Sequence, residues 1–386
     1  MSKNKDNKLI VKKVNNKNRE IKPITERMLW AVSAGICEFN GCCNKLFTHH
    51  VTKENVNLAE KAHIYAFSAG GKRPSLLRFT QKINDIDNLM LVCDRCHKLI
   101  DSTETDYSAE QLLQMKKEHE DRIATMVAIK PDLQSEVVIY NANIADGSIK
   151  ISDFTAKSAI IPKHYPARSN PINFSPEISL YDNEELYWET MSTHLERQFE
   201  QYKSLLKDKH ISLFAVAPQP LLFKLGTLLN RAYDVEVRQS QGGIDNWRWR
   251  CDKQTTKIET EIIDSKDKSI TPIVTFELTA KLSLEELRQE FGEGTIYRIS
   301  SPVCSPEIIK SVRDLRAVMD EYRKILNKIR EEHGQNVKIK LVPISPVSVS
   351  IEAGRQTMKG DPIISVYDRN YITKKWTKAL ELNGKE

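Results

Sequence analysis

Five of the chain's seven cysteines, Cys37, Cys42, Cys43, Cys93 and Cys96, fall within a 60-residue stretch, and this cluster constrains the fold more than any other feature. Clustered cysteines in a chain of a reducing compartment point to a metal rather than to disulfides. Cys37 and Cys42, separated by four residues, and Cys93 and Cys96, separated by two, offer four thiolates in two close pairs. That set suits a closed, tetrahedral, structural Zn2+ site. Cys43, one residue further on, is an alternative to Cys42. Cys251 and Cys304 stand alone and read as small core residues. The stretch between the two pairs is longer than the insert of a small zinc finger, so a further structure is expected inside it.

Charge distribution separates the ends of the chain. Residues 1–27 carry nine Lys/Arg against three Asp/Glu, a surplus equal to the net charge of +6 for all 386 residues. Such a basic, Asn-rich segment reads as a flexible arm able to meet nucleic-acid phosphates. A hydrophobic fraction of 40% with 28% charged residues is that of a soluble globular chain. Apolar runs such as Ile211–Ala217 fall well short of the ~20 residues that span a bilayer. No apolar segment follows the basic start as in a secretory signal. The expectation is a cytoplasmic protein with no membrane partner.

Texture then divides the chain into an arm (1–27), a Cys/His-rich domain (28–130), a Pro/Ser/Asn-rich linker and lead-in (131–180) and a region of alternating strands and helices (181–386). In the second, Ser108 and Gln111 have capping-box spacing ahead of an apolar-periodic helix. In the last, ISLFAVA, TPIVTFELTA, TIYRIS and VKIKLVPIS read as strands, each followed by a helical pattern, the third of these running from Pro306 to Glu332; SVYDR closes the series. Strands alternating with helices predict a largely parallel sheet covered on both faces. Two strand–Pro–helix units, starting near 211 and 338, predict two fused Rossmann-like halves, with ligand beyond the carboxyl ends of strands.

Inside the cysteine frame lie Ala62-His63-Ile64, closing a strand-like run, then Asn88-Leu89-Met90-Leu91 and Cys93-x2-Cys96-His97, with Asp101 one helical turn later. This ordered His, Asn, His set resembles the HNH endonuclease family, whose fold is ββα-metal. The resemblance implies that His63 is the general base, that Asn88 orients its imidazole, and that His97 binds a divalent metal. Imidazole, with a reference pKa of ~6.5, suits a base working at neutral pH. Asp101, four residues after His97, would add a carboxylate suited to Mg2+ or Mn2+. Relatives often carry His or Asp where Ala62 stands; Glu60, His49, His50 or water are the candidates to replace that ligand.

The C-terminal region carries Pro218-Gln219-Pro220, Leu225-Gly226, Val237-Arg238-Gln239, Trp247-Arg248-Trp249, Ile351-Glu352-Ala353-Gly354-Arg355 and Val366-Tyr367-Asp368. With the nuclease set, these motifs resemble the HNH–SAVED effectors of bacterial CBASS anti-phage systems. The fold class expected is therefore α/β multidomain: an N-terminal zinc-containing HNH domain and a C-terminal SAVED domain of two CARF-like halves. The resemblance implies that a cyclic di- or trinucleotide, made by a CD-NTase-type nucleotidyltransferase, binds SAVED and drives a homo-oligomer that cleaves double-stranded DNA. Pro218, Gln219, Lys224, Trp247, Trp249, Arg355 and Tyr367 are the expected ligand-binding residues. Cations and helix N-termini serve phosphates, and aromatic faces serve bases. A W-x-W pair in a strand would instead place both rings on one face, in the core. The competing functions are a modification-dependent restriction nuclease and a catalytically inactive, zinc-stabilised nucleic-acid-binding protein.

Overall fold

The computed structural model describes residues 20–67, 71–75, 81–102, 107–144, 150–176, 184–243, 246–370 and 372–382. The basic stretch 1–19 lies outside them, and the end of the expected arm is helical from Pro23. The chain forms two compact units, 1–129 and 130–386.

In the first unit, α1 (Pro23–Val32) opens on a proline whose fixed φ suits a first helical turn. The hairpin-like pair β1 (Ala59–His63) and β2 (Leu89–Cys93) is antiparallel, with Ala59 opposite Cys93 and His63 opposite Leu89. The run LMLVC is buried along its whole length and anchors a core with Leu29, Leu46, Ile64 and Ile100. α2 (Asp94–Ser102) leaves β2 without an intervening loop, so Cys93, Cys96 and His97 are fixed by the same short element. α3 (Ala109–Val127) starts with the expected capping box: the Ser108 hydroxyl accepts from Gln111 N at 3.2 Å, and Gln111 Oε1 accepts from Ser108 N at 2.7 Å.

The second unit holds two sheets among the described residues. The first is built from β3 (Gln134–Asn141), β4 (Tyr165–Pro166), β5 (Ile172–Asn173), β6 (His210–Val216) and β7 (Asp234–Val237), with helices α4 (Asp153–Ile160), α5 (Glu184–Leu206) and α6 (Gln219–Leu228). Its order is β4-β3-β6-β7, all pairs parallel, with β5 also on β3. Residues 131–180, expected to be a linker and lead-in, instead supply β3, the central strand of this sheet. QSEVVIYN buries six consecutive residues against β6, which a solvated linker would not do.

The second sheet follows as β8 (Glu259–Ile263), β9 (Ile273–Glu277), α7 (Leu284–Phe291), β10 (Ile296–Ser300), α8 (Val312–His333), β11 (Lys338–Ile344), α9 (Val347–Gln356), β12 (Ile363–Arg369) and β13 (Trp376–Leu382). Its order is β13-β12-β11-β9-β10-β8, four parallel strands with antiparallel edges. SVYDR does not close the series, because β13 adds an edge strand after it. The helix expected from Pro306 begins at Val312, where the Ser311 hydroxyl accepts from Asp314 N at 3.0 Å and caps it.

The two strand–Pro–helix units are β6–Pro218–α6 and β11–Pro346–α9, one in each half. Their helices cross closely at glycines. A Cβ on Gly226 would lie 2.1 Å from Ile351 O, and one on Gly354 would lie 2.2 Å from Phe223 O. Both contacts are with backbone, which cannot rotate away. Gly354→Ala is expected to force the helices apart and cost ~1–3 kcal/mol or more. The melting transition of the second unit should fall by several degrees, since 1 kcal/mol moves the midpoint ~2–4 °C for 150–250 residues.

Candidate functional site

The cysteine frame closes as spacing suggested. Sγ atoms of Cys37, Cys42, Cys93 and Cys96 all lie within 4.8 Å of one another. Cys42 and Cys93 are 3.8 Å apart, the ~3.8 Å edge of a tetrahedron with Zn–S bonds of ~2.3 Å. Cys43 is exposed, with φ +50°, and meets the Arg122 guanidinium at 3.8 Å. It is Cys42 that joins the set. Burial, only partly offset by amide hydrogen bonds, pushes the Cys37 thiol up to about 12. Burial and the neighbouring Cys37 also raise Cys96. Cys93 is desolvated too, but hydrogen bonds from Cys96 and the other thiols outweigh this and hold it low. Burial thus disfavours ionisation of Cys37 and Cys96, and a bound dication is what would offset it. The donor set fits Zn2+. Glu38, next to Cys37, accepts from Leu91 N at 2.6 Å and ties this knuckle to β2.

His63, His97 and Asp101 line one cleft of about 310 Å³ with Lys72 and Arg73. His97 Nε2 stands 3.7 Å from Asp101 Oδ2, an i,i+4 pair on α2. Arg73, held with φ +54°, donates to Ile64 O at 2.8 Å and Ile100 O at 3.2 Å, and lies 3.9 Å from Asp101 Oδ1. It thus braces the end of β1 against α2. Desolvation lowers its pKa, and Asp101 partly restores it.

Asn88 is buried and spends its amide on backbone. Its Oδ1 accepts from Tyr65 N at 2.8 Å, and its Nδ2 donates to Tyr65 O at 3.2 Å and Ile83 O at 2.8 Å. With Ile64 N donating to Asn88 O at 2.9 Å, this pins the two residues after His63. The side chain that touches the imidazole is one that sequence reasoning missed. Asn84 Oδ1 lies 2.9 Å from His63 Nε2. An amide oxygen only accepts, so Nε2 carries the proton and Nδ1 keeps its lone pair. Asn84 stands one turn before Asn88 in QKINDIDN, which is the signal that could have pointed to it. Asn84→Ala is expected to cost ~10–100-fold in the rate of any reaction that His63 serves, as lost orienting partners do, with the melting transition of the first unit unchanged.

Ala62 is packed into the core, and Glu60, His49 and His50 line a separate cleft of about 790 Å³ with Lys45, Lys53 and Arg95. None of the three stands in for the ligand missing at Ala62. Among the described residues, His97 and Asp101 are a neighbouring imidazole and carboxylate in this cleft, and the pair fits Mg2+ or Mn2+, ions that keep several waters.

In the second unit, the N-termini of α6 and α9 sit side by side beyond the ends of β6 and β11. Gln219 Nε2 donates to Ser345 O at 2.8 Å, and the Ser350 hydroxyl bonds to Gln219 Oε1. Gln239 Oε1, past the end of β7, accepts from Ser348 N at 3.1 Å. The Ser348 hydroxyl and Arg238 Nε are buried without a hydrogen-bond partner. Of the expected ligand residues, Pro218 and Gln219 are at this place.

The others are elsewhere. Lys224 is midway along α6 and ion-pairs with Glu196 of α5. Trp247 and Trp249 are not in a strand. Trp247 is only 1% exposed and packs edge-on against Phe214, with centroids 5.6 Å apart. Trp249 leans on the second-half core with its Nε1 buried and unpartnered. Tyr367 packs edge-on against Phe291 at 5.1 Å. Arg355 is no surface charge. At the far end of α9 it donates to Leu229 O at 2.9 Å, Tyr233 O at 3.0 Å and Val235 O at 3.3 Å, so it ties the second half to the first.

Comparison with known proteins places both units. Residues 37–104 match the family model for HNH endonuclease, and residues 195–382 match that for SAVED, the SMODS-associated and fused to various effectors sensor domain. Among solved structures, the Acinetobacter baumannii Cap4 SAVED/CARF-domain containing receptor with the cyclic trinucleotide 2'3'3'-cAAA is similar at 12% identity, covering 72% of this chain and 63% of its own, with TM-score 0.44. The same receptor with 3'3'3'-cAAA gives 12% identity, 75% and 65% coverage and TM-score 0.45. A Moraxella osloensis Cap4 SAVED/CARF-domain containing receptor gives 10%, 74%, 63% and 0.35. The chain spans less than two thirds of the length of these structures. No curated protein matches it. No helix among the described residues is long and apolar enough to cross a membrane.

Proposed function

Because the chain joins an HNH endonuclease module to a SAVED sensor module, we propose that it is a metal-dependent endonuclease on double-stranded DNA, switched on by a cyclic di- or trinucleotide. Its setting would be cytoplasmic CBASS-type abortive defence, with the messenger supplied by a CD-NTase-type nucleotidyltransferase. The observation that carries the reading is the convergence of His63, His97 and Asp101 in one cleft beside Lys72 and Arg73.

In that cleft the His63 Nδ1 lone pair takes the proton of the attacking water as general base. Asn84 keeps the tautomer, and Asn88 and Arg73 hold the strand end on which His63 sits. Lys72 and Arg73 bring positive charge to the phosphodiester. His97 and Asp101 would hold the Mg2+ or Mn2+, which supplies Lewis-acid stabilisation of the scissile phosphate and leaving oxygen. Zinc on Cys37, Cys42, Cys93 and Cys96 would be structural.

The messenger's phosphates would sit at the paired N-termini of α6 and α9. Helix N-termini favour anions, and the unpartnered Ser348 hydroxyl adds a donor there. Binding would favour a homo-oligomer that pairs nuclease modules for cutting both strands. Calorimetric titration of the full chain with cyclic di- and trinucleotides tests the sensor assignment. Saturable binding of one of them at about one site per chain is expected, and heats equal to buffer dilution for every one would defeat it.

A further inference from the structure

At the edge of the first sheet opposite those helix N-termini, three side chains converge that neither unit's proposed activity uses. His164 follows α4, His210 opens β6, and Glu236 lies in β7, which pairs in parallel with β6 through His210 and Asp234. The two imidazoles stack with centroids 3.8 Å apart and planes at 17°. His164 Nδ1 and His210 Nε2 each lie 3.9 Å from Glu236 Oε2.

The hydrogen bonding around His210 leaves the electron pair of its Nε2 on the side of Glu236. The Ser135 hydroxyl donates its proton to Ser212 Oγ at 2.9 Å, so at 2.9 Å from His210 Nδ1 it can only accept. His210 Nδ1 therefore carries the ring proton and Nε2 presents its lone pair to Glu236. His164 is 7% exposed, and its Nδ1 is buried without a hydrogen-bond partner. Two imidazole nitrogens and a carboxylate oxygen thus face one another, all three within 4.8 Å.

We propose that His164, His210 and Glu236 form a transition-metal site, a two-imidazole, one-carboxylate set for Zn2+, Co2+ or Ni2+. Bonds of ~2.0–2.2 Å in a tetrahedral set place ligand atoms ~3.4 Å apart. The two separations to Glu236 need a contraction of roughly 0.5 Å, and the stacked rings need a turn of His164, which no bond at Nδ1 opposes. The Lys163 ammonium, 3.0 Å from Glu236 Oε2, is on a side chain 66% exposed and is free to swing out. Arg238, 3.2 Å from the same oxygen, stays to orient the carboxylate. The ion would fasten β6, β7 and the turn after α4 at the base of the sheet. This site does not depend on what the sensor or the nuclease binds.

The test is equilibrium dialysis of the full-length chain, with its thiolate-bound metal in place, against Co2+ as the probe. Wild type is expected to take up one more Co2+ per chain than His210→Ala or His164→Gln, with weak visible bands lacking sulfur-to-cobalt charge transfer. Zinc per chain stays the same in all three. Uptake at the nuclease cleft is common to all and cancels. If His210→Ala melts before the assay, His164→Gln decides. Equal Co2+ uptake by wild type and a folded variant overturns the proposal.

Discussion

Replacing His63 with alanine is expected to slow DNA cleavage by ~10²–10⁴-fold, the usual cost of removing a general base. The zinc content and melting of the nuclease unit should not change. The imidazole lies in the cleft, its Nε2 bonded to Asn84, and the buried neighbours Ala62 and Ile64 carry the packing of that strand end. Deleting the ring removes the base without opening the core. Initial rates of plasmid nicking, measured beside zinc per chain, check it. Cleavage within a few-fold of wild type, at equal zinc, would move the base to another side chain.

The largest effect on stability is expected at Cys93. It ends β2, donates its backbone N–H to Cys37 Sγ at 3.3 Å, and lies 3.8 Å from Cys42 Sγ. Apparent Zn2+ binding energies in small thiolate sites are ~10–16 kcal/mol, as large as the ~5–15 kcal/mol that holds a typical domain folded. Cys93→Ser should therefore release zinc and abolish the melting transition of the first unit. The transition of the second unit should persist, because the cysteine frame lies wholly in residues 1–129. Cys43→Ser is the control: exposed and outside the cluster, it should retain both zinc and the transition. A Cys93→Ser chain that keeps zinc and melts like wild type would mean that the four thiols hold no metal.

What could be read from the sequence had a local cause. The capping box of α3 and the two strand–Pro–helix units rest on short-range patterns, and each forms as expected. His97 and Asp101 share a helix face by spacing alone. Less was legible where a partner distant in sequence decides. QSEVVIYN lies among Asn, Pro and Ser and becomes a central strand only because β6 pairs with it. Trp247 and Arg355 carry the residue types of a nucleotide site, but Phe214 covers one and three carbonyls of residues 229–235 satisfy the other. Asn84 is one polar residue among several in its segment until the fold brings it to His63. The His164, His210 and Glu236 cluster has no sequence spacing at all, since three separate elements deliver it.

In the function proposed above, gating links sensor to nuclease. A nuclease of that kind would have to be silent without its messenger, and a ligand shifts such an equilibrium only through differential affinity for the active state. Moving it from 1:99 to 99:1 takes ~5.5 kcal/mol, within reach of several phosphate and base contacts. The most direct measurement is plasmid cleavage and molar mass on the same nucleotide-free sample, before and after adding the cyclic nucleotide that binds. Cleavage and mass are expected to rise together, from a nearly inactive monomer to an active oligomer. Full cleavage by a nucleotide-free monomer would contradict the account.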